Sequence, residues 1–374
     1  MNKNTLSNPV RSIAFFLTAV ILACTFGFTV DGWQEIGGEA SAENKEPEED
    51  HPEDTENPGN QENFEQEEIP KEPEIYIPEY TSRLTGLEIS EDRSKAGMLA
   101  FVMSSNLPAY GISSAEILCE IPIENGGTRM IAFISENENL WKIGSITNTR
   151  GYISNIAKYF GSTLISYGND DSTSYQKCDL KDSILDFSAN DGYHYTEYTS
   201  NVYTNRDLLI SALANNRTES SDQHYSPLPF VHTKFGEELI SFDALANKIK
   251  LTEGGAADEL RYDAEIDGYS LYKNGSAIID MLNGNTTLFT NCFILFANSV
   301  VYDNSNGNQM VMDTIGDGGG YYFTNGSFCE IRWTATVGGI MTFYTADGEK
   351  LCVNRGTNYI SFLRSSQAEK INIQ

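Results

Sequence analysis

Two arginines beside glycine-containing turns are the strongest chemical signal in the chain. Arg150 follows the strand-like run Trp141–Asn148, and Gly168-Asn169-Asp170-Asp171 closes the next run, Ser162–Tyr167. Between the runs, Ile153, Ile156, Ala157 and Phe160 recur at helical spacing. Strand, helix and strand in so few residues read as a β-α-β unit with parallel strands, whose ligands gather beyond the strands' carboxyl ends. Arg150, Asn169 and Asp170 are therefore expected at one rim, where Gly168 allows the backbone close approach. Arg129, next to Asn125-Gly126-Gly127, is a second cation for that rim. Two guanidinium groups form a local site for a carboxylate or phosphate. The competing expectation is structural, with Arg150 bridged to Asp170 and Arg129 to Glu124 or Glu120.

A second cluster is aromatic: Tyr193, His194, Tyr195, Tyr198 and Tyr203. Flat rings with hydroxyl tips suit a glycan, and tyrosines in strands are also ordinary partly buried residues. Both readings stand at this point. Other chemistry lacks its pattern. There is no H-E-x-x-H, no G-x-S-x-G, no phosphate-binding loop and no dinucleotide fingerprint. Asp303–Asn308 resembles a calcium loop, but its glycine comes one position early and the closing acidic ligand is missing. It reads as a hairpin turn. No catalytic residue, metal site or cofactor is expected.

The elements that would hold these residues divide near residue 235. Over 76–235, Ala96–Met103 is a short, continuously apolar run, as in a buried strand. Ala115–Ile123 and Thr128–Ile134 form a hairpin across Asn125-Gly126-Gly127, and the second strand is apolar on both faces, hence central. A further helix begins at Arg206, with Thr204 as its cap and Asp207 three residues on. Over 236–366, turn dipeptides recur between strand-like runs: Phe293–Phe296, Tyr321–Thr324, Glu330–Thr336 and Ile340–Tyr344. The expected fold is α+β: an N-terminal mixed α/β sheet domain with the β-α-β unit, then a mostly antiparallel β domain, with 367–374 as a C-terminal tail.

Residues 1–42 carry an apolar run, Ile13–Val30, after Lys3 and Arg11 and before Asp31, Glu35 and Glu39. That charge asymmetry keeps the amino end in the cytoplasm and places the rest outside. Eighteen residues rising about 1.5 Å each span about 27 Å, enough for an uncleaved anchor. Ile21-Leu22-Ala23-Cys24 resembles a lipobox with Cys24 as the lipidated residue, and Ala40-Ser41-Ala42 offers a signal-peptidase site. Segment 43–75 is acidic and studded with proline. It contributes −12 of the formal charge of −28, leaving −15 for 75–374 once the −1 of residues 1–42 is removed. Such a tether cannot bury enough apolar surface to fold. The acidity of the remainder argues against nucleic acid, where basic patches supply most of the affinity. The five cysteines beyond Cys24 contain no C-x-x-C; Cys119, Cys292, Cys329 and Cys352, in apolar runs, read as buried thiols, with a Cys329–Cys352 disulfide as the alternative.

Several stretches resemble the YerB-like family of bacterial lipoproteins, a two-domain family of unknown function. They are Leu84-Thr85-Gly86-Leu87, the run from Tyr110 to Glu120, Ile123–Arg129, Gly144–Arg150, Asn201-Val202-Tyr203-Thr204, Gly316–Gly318, Tyr322–Gly326, Ile331–Trp333 and Gly356–Tyr359. The resemblance implies an extracytoplasmic protein, favours the lipoprotein reading and marks Asn201 and Tyr203 as further site candidates. It also implies His where Ser166 and Ser200 stand and Arg where Thr147 stands. The expected function is a membrane-tethered extracytoplasmic binding or assembly factor of the bacterial cell envelope, without catalysis of its own. Its partner would be an envelope protein or a glycan. The alternative is an envelope hydrolase acting on a cell-wall or small anionic substrate through carboxylates near Arg150. Because the tether offers little to bury, residues 75–374 are expected to melt cooperatively without 1–74. An aggregated or non-cooperative truncation in thermal unfolding would show that the boundary is misplaced.

Overall fold

The computed structural model describes residues 75–168, 184–198, 200–216, 229–251, 257–304 and 307–374. The expectations for the apolar run, Cys24, the tether, Asn169, Asp170 and Cys178 lie outside those residues. Among the described residues no helix is long and apolar enough to cross a membrane.

The fold is mostly β. In the first half the strands are β1 (Met98–Ser104), β2 (Ile117–Pro122), β3 (Thr128–Ser135) and β4 (Ile143–Ile146). Helix α1 (Gly151–Tyr159) and strands β5 (Ser162–Ser166), β6 (Ile184–Asp186), β7 (Tyr195–Glu197) and β8 (Asn201–Thr204) follow, then helix α2 (Arg206–Asn216). The second half has β9 (Lys248–Lys250), β10 (Glu259–Asp263), β11 (Gly268–Lys273), β12 (Asn291–Ala297), β13 (Ser299–Asn304), β14 (Gly307–Met312), β15 (Gly316–Thr324), β16 (Ser327–Ala335), β17 (Met341–Thr345) and β18 (Asn358–Arg364). One large sheet runs β16-β15-β12-β18-β2-β3-β1-β4-β8-β7, with β5 also on β1. A smaller sheet is built on β11, β10 and β9.

Alternation along β1 shows how the core is made. Leu99, Phe101 and Met103 join one apolar cluster with Ile249, Leu260 and Leu271 of the smaller sheet. Ala100 and Val102 face the other cluster, with Ile153, Ile156 and Phe160 of the α1 region. Strand side chains alternate faces, so a sheet covered on both sides needs continuous apolar runs. That is why β1 and β3 read as buried, and β3 does lie between β2 and β1.

Three expectations need correction. First, β4 is antiparallel to β1 whereas β5 is parallel to it. The two strands around α1 therefore oppose each other, and no parallel β-α-β unit forms there. The cause is that both dock on the same edge of β1: β5 takes Met98–Phe101, and β4 meets Met103. Second, the large sheet crosses the expected boundary near 235, because β18 lies parallel between β2 and β12. Within the 367–374 tail, Asn372 and Ile373 pair with β9. Third, the α2 cap is Asn205, whose Oδ1 accepts from the Leu208 N–H at 3.0 Å, while the Thr204 hydroxyl donates to the Tyr193 carbonyl at 2.8 Å. Among the described residues, Cys119, Cys292, Cys329 and Cys352 are all free thiols, so the alternative disulfide does not form.

The entry segment, the chain that precedes β1, is locked by a close approach. Gly86 has φ +65°, and a Cβ there would lie 2.6 Å from Cγ of His232. His232 Nε2 is buried without a partner. Burial lowers the imidazole's pKa, the hydrogen bond with the Leu84 backbone opposes this, and the Arg355 charge adds to the lowering. The native state thus binds the proton less readily than the unfolded chain. The resulting stability is complete above the unfolded pKa near ~6.5 and is lost as pH falls below it toward the folded value. In thermal melts, His232→Gln is expected to flatten the decline in midpoint just below that pH; an unchanged slope would remove His232 as its cause.

Candidate functional site

Chain order brings the two arginines to one end of the large sheet by a route other than a parallel crossover. β4 and β5 meet head-on along β1. The Thr147 N–H donates to the Val102 carbonyl at 2.9 Å, the Tyr167 N–H to Thr147 at 3.0 Å and the Thr149 N–H to Gly168 at 3.2 Å. Gly168 has φ +88° and packs over Asn148, where a Cβ would sit 3.6 Å from that residue's own. Arg150, the next residue after Thr149, begins α1 as its N-terminal cap. Arg129 is the second residue of β3 and lies opposite Ser104 and Ile121 at the same end.

Whether Arg150 meets Asp170 lies outside the described residues; within them Glu124 bridges Arg150 rather than Arg129. Arg150 pairs with Glu124, from the turn joining β2 to β3. Its Nη2 meets Glu124 Oε1 and its Nε donates to Oε2 at 3.2 Å, a two-pronged bridge. The Arg150 Nη1 also donates to the Thr149 carbonyl at 2.9 Å. Arg129 donates to neutral oxygens: Nη2 to Asn148 Oδ1 at 2.7 Å, Nε to the Asn148 carbonyl at 3.3 Å and Nη1 to the Thr128 carbonyl at 3.3 Å. Burial pushes the Glu124 carboxyl up, but hydrogen bonds from Arg150 and its own backbone, with the charges of Arg150 and Arg129, hold it below the ordinary value. Burial, followed by the neighbouring Arg150 charge, lowers the pKa of Arg129. Among the described residues, Glu124 is thus bonded to one of the two cations and acts on the other only through its charge.

Asn201 starts β8, and the pairing of Val202 with Ile146 puts it at the end of the sheet where β4 finishes. Tyr203 is placed elsewhere and is only 2% exposed. Its ring lies 4.0 Å below Lys142 Nζ, which also sits 4.1 Å over Tyr110 and donates to Glu197 at 2.6 Å. A ring covered in this way cannot stack on a ligand. The aromatic cluster is dispersed in packing as well. Tyr193 is buried against Phe187, and His194 meets Tyr167 edge-on at 4.9 Å. Only Tyr198 is broadly exposed, at 85%. The Lys142 cage escapes sequence reading because its parts lie on distant strands with no shared spacing. Glu124 and Asn148 flank the turn and strand already singled out and carry the nearest legible signal.

Two family descriptions match the chain: "Protein of unknown function (DUF3048) N-terminal domain" over residues 84–220 and "Protein of unknown function (DUF3048) C-terminal domain" over residues 248–360. The chain belongs to this two-domain, YerB-like family. The solved YerB protein from Bacillus subtilis has 19% sequence identity to it and a TM-score of 0.63, covering 79% of this chain and 99% of that one. At such identity the likeness shows the fold alone. None of the curated proteins matches the chain.

The positions where the DUF3048 resemblance implies other residues converge on this same region. Ser166 ends β5, Thr147 follows β4 and Ser200 precedes β8. Their side chains here are short and neutral, so the local positive charge is that of Arg129 and Arg150. Glu124→Gln is expected to destabilise by about 1–2 kcal/mol near neutral pH, because a buried guanidinium loses a bridging carboxylate; partial exposure of the carboxylate reduces the full cost. Since the folded pKa of Glu124 is depressed, its contribution is present above the unfolded value of ~4.3 and disappears as pH falls through the folded one. Urea unfolding near neutral pH and in strong acid checks this, the gap between wild type and variant closing in acid.

Proposed function

We propose that this protein is a membrane-tethered extracytoplasmic binding factor of the bacterial cell envelope, taking an anionic group of its partner at the Arg129 end of the large sheet. The address rests on the Lys3/Arg11-led apolar run and the acidic segment behind it, which would hold the folded part away from the membrane. The binding reading rests on one observation above others. Among the described residues, the half-buried Arg129 guanidinium meets only amide and carbonyl oxygens, although the chain is strongly acidic. A carboxylate or phosphate gains most where a positive charge is already desolvated and lacks a counter-ion.

Hydrolysis through a carboxylate beside Arg150 has less support. The carboxylate in that position, Glu124, is held ionised by two hydrogen bonds from Arg150, whereas a general acid needs its pKa raised toward the working pH. The test is calorimetric titration of the full chain, in zwitterionic detergent, with inorganic phosphate and with succinate. Arg129→Gln is expected to weaken binding by about tenfold or more, the loss typical of a charge-assisted contact. Equal binding by the variant, or none by wild type, would overturn the anion site.

A further inference from the structure

At the other end of β2 lies a cleft of about 340 Å³ between the Ile112–Ala115 turn and the loop and strand at 283–289. Ala115 precedes β2 by two residues, and Arg129 pairs with Ile121 near the end of that strand. At about 3.3 Å per residue the cleft is about 20 Å from the arginines. It is an independent place on the molecule.

Both walls are fixed by one buried carboxylate. Asp280 is fully buried and accepts from the Gly111 N–H at 2.8 Å, the Ser113 N–H at 2.9 Å, the Ser113 hydroxyl at 2.6 Å and the Leu282 N–H at 2.8 Å. Asn283 Nδ2 donates across the gap to Ser113 Oγ at 3.0 Å. The turn on one side and the loop on the other are thereby tied before any ligand arrives, and a pre-formed cleft avoids the ordering cost of binding. No charged side chain lines it, although the chain carries a large net negative charge. Among the described residues, the side chains of Ser114, Asn285 and Thr286 line the cleft with no hydrogen-bond partner in the protein. Leu288, 39% exposed, supplies apolar surface beside them.

We infer that this cleft binds a neutral saccharide. Hydroxyls and an amide offer donors and acceptors together, which matches a ligand bearing many hydroxyl groups. The exposed Leu288 side chain matches the C–H face of a sugar ring, and the volume falls within the range of small-ligand sites, about 300–1,000 Å³. An uncharged lining gives an anionic ligand no counter-charge and a cation no carboxylate. A peptide would draw mainly on a free strand edge for main-chain bonds, whereas the polar groups open in this cleft are side chains.

The experiment titrates the full chain, in zwitterionic detergent, with chitotriose, cellotriose and maltotriose, and with trigalacturonate and an N-acetylated trialanine amide as comparators. A second protein carries Ser114→Ala, Asn285→Ala and Thr286→Val together. These side chains hold nothing else in place, so its thermal midpoint should match wild type. At least one neutral trisaccharide is expected to bind wild type, with affinity about tenfold or more lower in the triple variant, and trigalacturonate is expected to bind more weakly. The inference is overturned if no neutral trisaccharide binds up to ~10 mM, or if the triple variant binds equally well. Equal or better binding of trigalacturonate, or capture of the peptide without any sugar, would overturn it too.

Discussion

Asn358 pairs with Asn291 across two parallel strands, and the rest of the large sheet depends on that junction. β18 arrives late in the chain yet lies between β2 and β12. Its register is held by buried amides. Asn291 Nδ2 donates to Asn358 Oδ1 at 3.1 Å and to the Asn354 carbonyl at 2.8 Å, and Tyr322 donates its hydroxyl to Asn291 Oδ1 at 2.7 Å. Asn358 Nδ2 reaches the Leu84 carbonyl at 2.8 Å and so ties in the entry segment. Unpaired buried amides are costly, and in a sheet with two apolar faces a one-residue slip would exchange those faces. The network therefore selects one alignment where hydrophobic contact alone would tolerate several.

Two polar ties carry that alignment out to the ends of the sheet. Glu120 on β2 accepts from the Tyr359 hydroxyl on β18 and the Thr128 hydroxyl on β3, each at 2.8 Å. The Tyr152 hydroxyl of α1 donates to the Pro122 carbonyl at 2.9 Å, setting the helix beside the turn that carries Glu124. The Arg150–Glu124 bridge is thus a consequence of where α1 lies. Once it forms, Arg129 is left with neutral partners. At the far end, Asp280 does for the 111–113 turn what Glu124 does for α1, using only neutral donors. One end keeps a cation bonded only to neutral oxygens and the other presents uncharged side chains above a buried carboxylate, so the two ends suit different chemistry.

Much of this was legible in the residues. Continuous apolar runs identified β1 and β3 as buried strands, because covering a sheet on both faces requires apolar side chains at successive positions. Helical spacing of Ile153, Ile156 and Ala157 marked α1, and Asn125-Gly126-Gly127 marked the turn between β2 and β3, where Asn125 adopts φ +58° and Gly126 φ +73°. The pairing of Arg129, Arg150 and the Gly168 turn at one rim also came from chain order, though through the wrong geometry.

Local sequence determined which segments are strands, which helix packs on them, and that two arginines lie near turns, since periodicity and turn chemistry act within a few residues. Only the tertiary structure decided strand direction, the insertion of β18 across the expected boundary, the bridging of Glu124 to Arg150 and the burial of Tyr203 under Lys142. Each of these joins residues far apart in the chain. Their contacts depend on which edge of β1 or β2 remains open when the later strand arrives, and no local spacing encodes that.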